Sequence, residues 1–146
     1  MLLNVPSILN GDILKTLCDM GHGDSLAIVD ANYPAMTMGK RVIQVPGSTA
    51  TDMLKAVMMY FPLDHIMENP ALLMAVEKKD RESFGGMGPE IFSRFDAIIH
   101  QASGKFTSQI SRQDFYDMSR DSYCILQTGE ERLYGDIIIY KGPVVS

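Results

Sequence analysis

The chain has 146 residues, of which 46% are hydrophobic and 21% are charged, and its formal net charge is −5 at pH 7. This length and composition are typical of a globular domain with its own core, and they exclude a disordered chain. The negative charge argues against nucleic acid as a partner, because binding a phosphate backbone takes clustered lysine and arginine. We therefore predict a single domain over residues 1–146.

The N-terminal residues and the two cysteines indicate where in the cell the protein is located. Residues 1–10 have neither the positive start nor the long apolar run of a signal peptide. No apolar stretch reaches the roughly 20 residues that a membrane helix needs. Cys18 and Cys124 lie in apolar segments without CxxC spacing, so we expect both to be reduced core residues. These features predict a cytoplasmic protein without a membrane partner.

Helices and strands alternate in the first half of the chain. Asn10 is a suitable N-cap for a helix that Gly21 would stop. The strand predicted next, over residues 26–30, is apolar up to its final aspartate, as expected for a strand covered on both faces. Residues 31–40 have the composition of a loop. After them we predict a strand over 42–45, a helix that begins after Thr49 and ends at Pro62, and a strand over 72–76.

The second half continues this alternation after a charged and then glycine-rich stretch. Residues 78–88 predict a mobile surface loop, and they lack the lysine and hydroxyl pair that ends a phosphate-binding loop. Pro89 suits the first turn of the helix that follows. The elements predicted after it are a weak strand over 106–111, a short helix over 112–120, and strands over 123–127 and 137–140. This order predicts an α/β layered fold with a largely parallel central sheet flanked by helices.

One early stretch, residues 20–34, combines a glycine turn with a strand and an aspartate. Gly21 and Gly23 flank His22, so the backbone there can carry the imidazole into a cleft. Asp30 ends the strand, where open α/β sheets bind their ligands. A strand of roughly five residues spans about 17 Å. His22 and Asp30 therefore meet only if a turn or loop folds His22 back or a second subunit closes the site, and both routes stay open.

The sequence lacks the motifs of several kinds of site. The three histidines form no HxH or HExxH pattern and no cluster with cysteine, so no zinc site is expected. GxSxG and GxGxxG turns are absent, and no cofactor is expected. A polar set remains near the ends of the predicted strands, although each member has a plain structural alternative such as a turn cap or a surface cation. Its members are His22, Asp24, Asp30, Arg112, Tyr116, Tyr134 and Asp136.

A series of short motifs, in this order and spacing, resembles the ribose pyranase/fucose mutarotase family, and in particular its L-fucose mutarotase branch. The motifs are Met20-Gly21-His22-Gly23-Asp24, Asp30-Ala31 before Tyr33-Pro34, Arg112 before Phe115-Tyr116, Thr128-Gly129-Glu130 before Tyr134-Gly135-Asp136-Ile137-Ile138, and Lys141-Gly142. The resemblance covers nearly the whole chain from about Pro6 onward.

The resemblance implies roles for particular residues. His22 matches the acid/base histidine, and Asp30 would orient its imidazole or bind a sugar hydroxyl. Arg112 falls where the fucose branch has arginine and the ribose branch usually has histidine. Tyr134 and Asp136 match the ends of a tyrosine-x-asparagine sugar-binding motif, so this chain has aspartate where asparagine is usual. An ionised aspartate accepts hydrogen bonds but cannot donate them as an amide does. Tyr116 is a further binding candidate.

The same resemblance implies a cofactor-independent isomerase. The expected reaction interconverts the α and β anomers of L-fucose by acid/base-assisted ring opening, with His22 transferring the protons. One alternative is a D-ribose pyranase. Another is a non-catalytic monosaccharide-binding or transport-accessory protein, which would bind sugar without speeding anomer exchange. The family also implies a homo-oligomer with its sites near subunit contacts.

Overall fold

All six strands belong to one sheet in the computed structural model, which describes residues 1–146. The strands are β1 (Ser25–Val29), β2 (Val42–Val45), β3 (Ala71–Met74), β4 (Ser108–Ile110), β5 (Cys124–Thr128) and β6 (Ile137–Tyr140). Their order across the sheet is β2-β5-β1-β6-β3-β4. Only β6 runs antiparallel to its two neighbours, β1 and β3, and every other pair is parallel. The prediction of an α/β fold with a largely parallel sheet is confirmed.

Five α-helices and one 3₁₀ helix connect the strands. They are α1 (Gly11–Asp19), α2 (Ala35–Met38), α3 (Ala50–Met58), the 3₁₀ helix (Lys78–Phe84), α4 (Glu90–Ser103) and α5 (Arg112–Asp121). The side chains of Asn10, Thr49 and Ser111 each accept a hydrogen bond from a backbone N–H in the first turn of their helix. These caps explain where α1, α3 and α5 begin. None of the helices combines the length and apolar character that crossing a membrane takes.

Helices cover both faces of the sheet, and β1 is buried along its whole length. Leu26 and Ile28 face the larger core, which α1, α3 and α4 complete. Ala27 and Val29 face the smaller core, which includes side chains of α2 and α5. Since successive strand residues point to opposite faces, a fully apolar β1 follows directly from its position between two layers of helices.

Two local expectations were wrong because packing decided the outcome. Residues 31–40 were expected to be a loop, but they contain α2, whose first residue Ala35 is buried in the smaller core. Cys18 was expected in the core but is exposed, whereas Cys124 is buried as predicted. Cys18 directly follows the buried Leu17 and is therefore turned about 100° around α1, away from its apolar stripe.

The charged stretch after β3 also differs from the prediction of a loop over 78–88. Its first part forms the 3₁₀ helix, and only the glycines that follow adopt turns. Tyr134 fixes this segment, because its hydroxyl donates to Asp80 at 2.5 Å and accepts from the N–H of Glu77 at 3.0 Å. These contacts join residues more than 50 positions apart, so no local pattern in the sequence predicts them.

A buried carboxylate, Glu130, ties the end of β5 to α3. It is 2% exposed, and it accepts from the N–H of Ala50 at 3.1 Å and from the Arg132 guanidinium at 2.8 Å. The bond with Arg132 is the main cause that lowers the pKa of Glu130 from 4.5 to about 2. Because the folded-state pKa is lowered, the carboxylate stabilises the fold above about pH 4.5, and this contribution disappears as the pH falls toward 2.

We expect Glu130→Gln to lower the free energy of unfolding at neutral pH by about 1–2 kcal/mol, since solvent screens the half-exposed Arg132. Urea unfolding at neutral and acidic pH measures this, and the difference from the wild type should shrink in acid. Glu90→Gln is the matched control, because Glu90 pairs with Arg94 on the exposed face of α4 and should change stability little. Equal losses in the two variants, or a loss that persists in acid, would contradict the assignment.

Candidate functional site

A cleft of about 280 Å³ lies at the edge of the sheet where β1 and β3 end. Asp30 directly follows β1, and Asp136 directly precedes β6. Because β6 is antiparallel, its first residues reach the same edge as the last residues of its neighbours. All five residues predicted to bind sugar line this cleft: Asp30, Arg112, Tyr116, Tyr134 and Asp136. The topology therefore gathers side chains that are more than 100 residues apart in sequence.

A pair of carboxyl groups forms the floor of the cleft. Asp136 is 3% exposed and Asp30 is 9% exposed. The N–H of Asp30 donates to Oδ1 of Asp136 at 2.8 Å, and the N–H of Asn32 donates to Oδ1 of Asp30 at 2.9 Å. Burial first, and then the adjacent Asp30 carboxyl, raises the pKa of Asp136 well above its ordinary value. The pair can therefore both accept and donate hydrogen bonds.

Arg112 begins α5 and supplies the positive charge of the cleft. Its guanidinium bonds to Oε1 of Glu77 at 3.0 Å and donates to the hydroxyl of Tyr116 at 2.9 and 3.1 Å. Tyr116 lies four residues further along the same helix, and its ring packs edge-on against Tyr33. The bond to Tyr116, and then that to Glu77, raises the pKa of Arg112. Tyr116 thus faces the cleft through its hydroxyl while its ring packs against the protein.

Tyr134 reaches the cleft from an unusual backbone conformation. Its φ of 62° lies in the left-handed region, which is strained for a residue with a large side chain. The hydroxyl contacts with Asp80 and Glu77, and edge-on packing against Phe84 and Phe92, hold the ring in place. Burial, followed by the bond to Asp80, raises the pKa of Tyr134.

Sequence reasoning missed two acidic residues at this site. Asp80 lines the cleft, and Glu77 binds both Arg112 and Tyr134. Asp80 was assigned to the surface loop predicted over 78–88, and Glu77 lies between that loop and the strand predicted over 72–76, so neither was considered for a site. Their contact partners, Arg112 and Tyr134, lie far along the chain, so only the tertiary structure reveals these contacts.

His22 lies at the opposite end of β1, outside this cleft. Its imidazole is 49% exposed, and its Nε2 is 3.4 Å from Oδ2 of the buried Asp64. The N–H of Gly23 donates to the carbonyl of Lys141 at 2.8 Å, which ties the turn to the sheet and prevents it from folding back over β1. Of the two routes that the sequence left open, the turn therefore does not bring His22 to Asp30 within one chain.

Asp64, rather than Asp30, is the carboxylate beside His22. The N–H of Ile66 donates to Oδ1 of Asp64 at 2.9 Å and is the main cause that lowers the pKa of this carboxyl. An ionised carboxylate 3.4 Å from Nε2 is placed to orient the imidazole. Within one chain Asp30 does not contact His22, so of its two expected roles only binding a hydroxyl is open to it there, and Asp64 occupies the position beside the imidazole. No group of three or more histidine, cysteine or acidic side chains is placed to hold a metal ion.

Sequence comparison identifies relatives over nearly the whole chain. The model of the RbsD / FucU transport protein family matches residues 3–144. The L-fucose mutarotase of Haemophilus influenzae is 34% identical, over 97% of this chain and 96% of the relative. The fucose mutarotase of Mus musculus is 33% identical, over 98% of this chain and 95% of the relative.

The solved structures that resemble this chain include a fucose mutarotase, as the sequence relatives do. The fucose mutarotase from Streptococcus pneumoniae, solved in complex with L-fucose, has a TM-score of 0.90 at 33% identity, covering 99% of this chain and 100% of its own. RbsD of Bacillus subtilis, solved with D-ribose, shares the fold with a TM-score of 0.68 at 21% identity. Since the family model and relatives above 30% identity span nearly all 146 residues, the chain belongs to the RbsD / FucU transport protein family.

Proposed function

We propose that this protein is an L-fucose mutarotase, an isomerase that interconverts the α and β anomers of L-fucose. The observation that carries the proposal is the cleft, in which Asp30, Arg112, Tyr116, Tyr134 and Asp136 come together. Carboxyl, guanidinium and phenol groups with aromatic walls suit a monosaccharide, which offers hydroxyl groups and small apolar patches. The full-length relatives that are fucose mutarotases, and the relative solved with L-fucose, support this choice of sugar.

The reaction needs two proton transfers. A base removes the proton of the anomeric hydroxyl while an acid protonates the ring oxygen, and the C1–O5 bond breaks to give the open-chain aldehyde. Rotation about C1–C2 followed by the reverse steps gives the other anomer. An imidazole donates and accepts protons near neutral pH. We propose that His22, oriented by Asp64, performs these transfers directly or through water, while the cleft holds the sugar.

We propose further that His22 acts in the cleft of a second copy of the chain. His22 is half-exposed and lies at the edge of the sheet opposite its own cleft, so it is free to meet another molecule. Exposed apolar side chains adjoin both places, with Leu133 lining the cleft and Ile66 two residues after Asp64. Such side chains suit burial in a contact between copies. The working protein would then be a homo-oligomer with sites at its subunit contacts.

Saturation-transfer NMR between the α and β anomeric protons of L-fucose tests the function, with D-ribose measured in parallel. We expect catalytic amounts of protein to speed exchange between the fucose anomers. Enhancement on D-ribose alone would assign a pyranase instead. Saturable binding of sugar without faster exchange would assign the non-catalytic binding or transport-accessory role and overturn the proposed activity.

A further inference from the structure

The cleft contains more acidic groups than its single cation can neutralise. It is lined by Asp30, Asp80 and Asp136, and Glu77 forms an ion pair with Arg112. The guanidinium of Arg112 hydrogen-bonds to Glu77 and Tyr116, and makes no hydrogen bond or ion pair with either buried aspartate. The two carboxyl groups on the floor are therefore buried side by side without a cation in contact.

Two ionised carboxylates in such a position repel each other in a medium that screens charge poorly. A buried pair of this kind holds one proton, because ionising both groups has a high free-energy cost. Asp136 is the more deeply buried of the two. Asp30 lies nearer the solvent, and its Oδ1 accepts from the N–H of Asn32. Because burial penalises a charge most where water is most fully excluded, the deeper position of Asp136 places the proton there.

We propose that Asp136 is a neutral carboxylic acid in the working protein and positions Asp30 by donating a hydrogen bond to its carboxylate, so that sugar binds only while the pair keeps this proton. The inference rests on the proposed function for the identity of the sugar. Asp136 also accepts from the N–H of Asp30, so both of its functions as donor and acceptor are directed to one neighbour. The raised pKa of Asp136, caused mainly by burial, is consistent with this state.

A neutral carboxylic acid resembles an amide in having one donor and one acceptor side. The family resemblance implies an asparagine at this position, and a neutral aspartic acid offers the same donor and acceptor there. Other charged or titratable groups face Asp136 from the elements around it, and Arg112 is the only cation among them. They are Asp30 after β1, Tyr33 in the following turn, Asp80 on the 3₁₀ helix, Arg112 and Tyr116 on α5, and Tyr134 before β6.

The affinity for L-fucose should change with pH in one direction. The proton is present at neutral pH and leaves as the pH rises, so affinity for L-fucose should fall on the alkaline side by about tenfold per pH unit once the pair has ionised. In Asp136→Asn the amide keeps its donor at every pH, so binding at neutral pH should persist and the alkaline loss should disappear. Asp136→Ala removes donor and acceptor, and should weaken binding roughly tenfold to hundredfold at all pH values.

Calorimetric titration of L-fucose against the three proteins over a range of pH measures these effects. An alkaline loss of affinity in Asp136→Asn equal to that of the wild type would overturn the proposal. So would binding by Asp136→Asn as weak as that of Asp136→Ala in a folded protein, because an amide donor would then not replace the neutral acid.

A second measurement on the wild type needs neither sugar nor variant. With ¹³C-labelled aspartate, the carboxyl carbon of Asp136 should keep the chemical shift of a neutral acid at pH 7 and change only above it. A transition near the ordinary aspartate pKa of about 3.9 would overturn the proposal. If the protein speeds exchange of no sugar at any pH, the proposed function fails while this titration still decides the state of Asp136.

Discussion

Replacing His22 with alanine is expected to reduce the catalysed exchange of L-fucose anomers by about 10²–10⁴-fold, the usual contribution of a general acid–base group. The cleft lies at the other end of β1 and does not include His22, so it should still bind the sugar. Saturation-transfer NMR measures the rate, and calorimetry measures the retained affinity. His100→Ala is the matched control, because His100 is exposed and stacks on Phe106 near the end of α4. A folded His22→Ala protein with the wild-type rate would remove His22 from the mechanism.

A mixing experiment tests whether two copies share one site. His22→Ala lacks the proposed acid/base group, and Arg112→Ala lacks a proposed sugar contact at the opposite edge of the sheet. Each variant alone should be nearly inactive. If sites form between copies, subunit exchange in an equal mixture should restore roughly a quarter of them, because that fraction receives both intact residues by chance. A mixture that stays inactive although mass spectrometry shows mixed oligomers would mean that each site draws both residues from one chain.

Gly129→Ala is expected to be among the most destabilising single changes in the chain. A Cβ built on Gly129 would lie 2.0 Å from the carbonyl oxygen of Pro46 and 2.9 Å from its carbonyl carbon. The N–H of Gly129 donates to the carbonyl of Ser48 at 2.8 Å, so the backbone cannot move away without losing this bond. We expect a loss of about 3–5 kcal/mol in the free energy of unfolding, measured with urea.

Gly47→Ala provides a control within the same contact. Gly47 directly follows Pro46, yet a Cβ there meets no atom within 4 Å, and its φ is not positive. A glycine of this kind tolerates alanine, with a change of about 1 kcal/mol or less in stability. If the two variants unfold at the same urea concentration, the close approach of Gly129 to Pro46 does not make a glycine necessary there for stability. The motif Thr128-Gly129-Glu130 would then need another explanation.

The sequence predicts those parts of the fold that depend on local patterns. The apolar run of β1 and the caps at Asn10 and Thr49 are local, and the structure has both. The convergence of Asp30 with Asp136 could also be anticipated, because each adjoins a predicted strand end and the family resemblance implies a sugar-binding role for both. The position and direction of β6 could not, since an apolar run such as 137–140 carries no information on which neighbours it meets.

Other features depend on partners distant in the chain. Asp64 lies 42 positions after His22, between the helix predicted to end at Pro62 and the strand predicted over 72–76, so only the tertiary structure identifies it as the partner of the imidazole. The 3₁₀ helix also depends on a distant partner, because the hydroxyl of Tyr134 donates a hydrogen bond to its Asp80. The four residues of α2 are too few to show a helical period, and its formation depends on burial of Ala35. These are features that non-local contacts decide.

The central position of β6 also has a consequence for synthesis on the ribosome. The strands form two groups, β2-β5-β1 and β3-β4, and β6 alone joins them, although it follows every other strand in the chain. Until residues 137–140 emerge from the ribosome, the nascent chain carries two unpaired sheet edges, at β1 and at β3, which invite pairing with other chains. Tyr134 and Asp136 emerge just before them. Emergence of this one short segment therefore completes the sheet and the cleft in the same event.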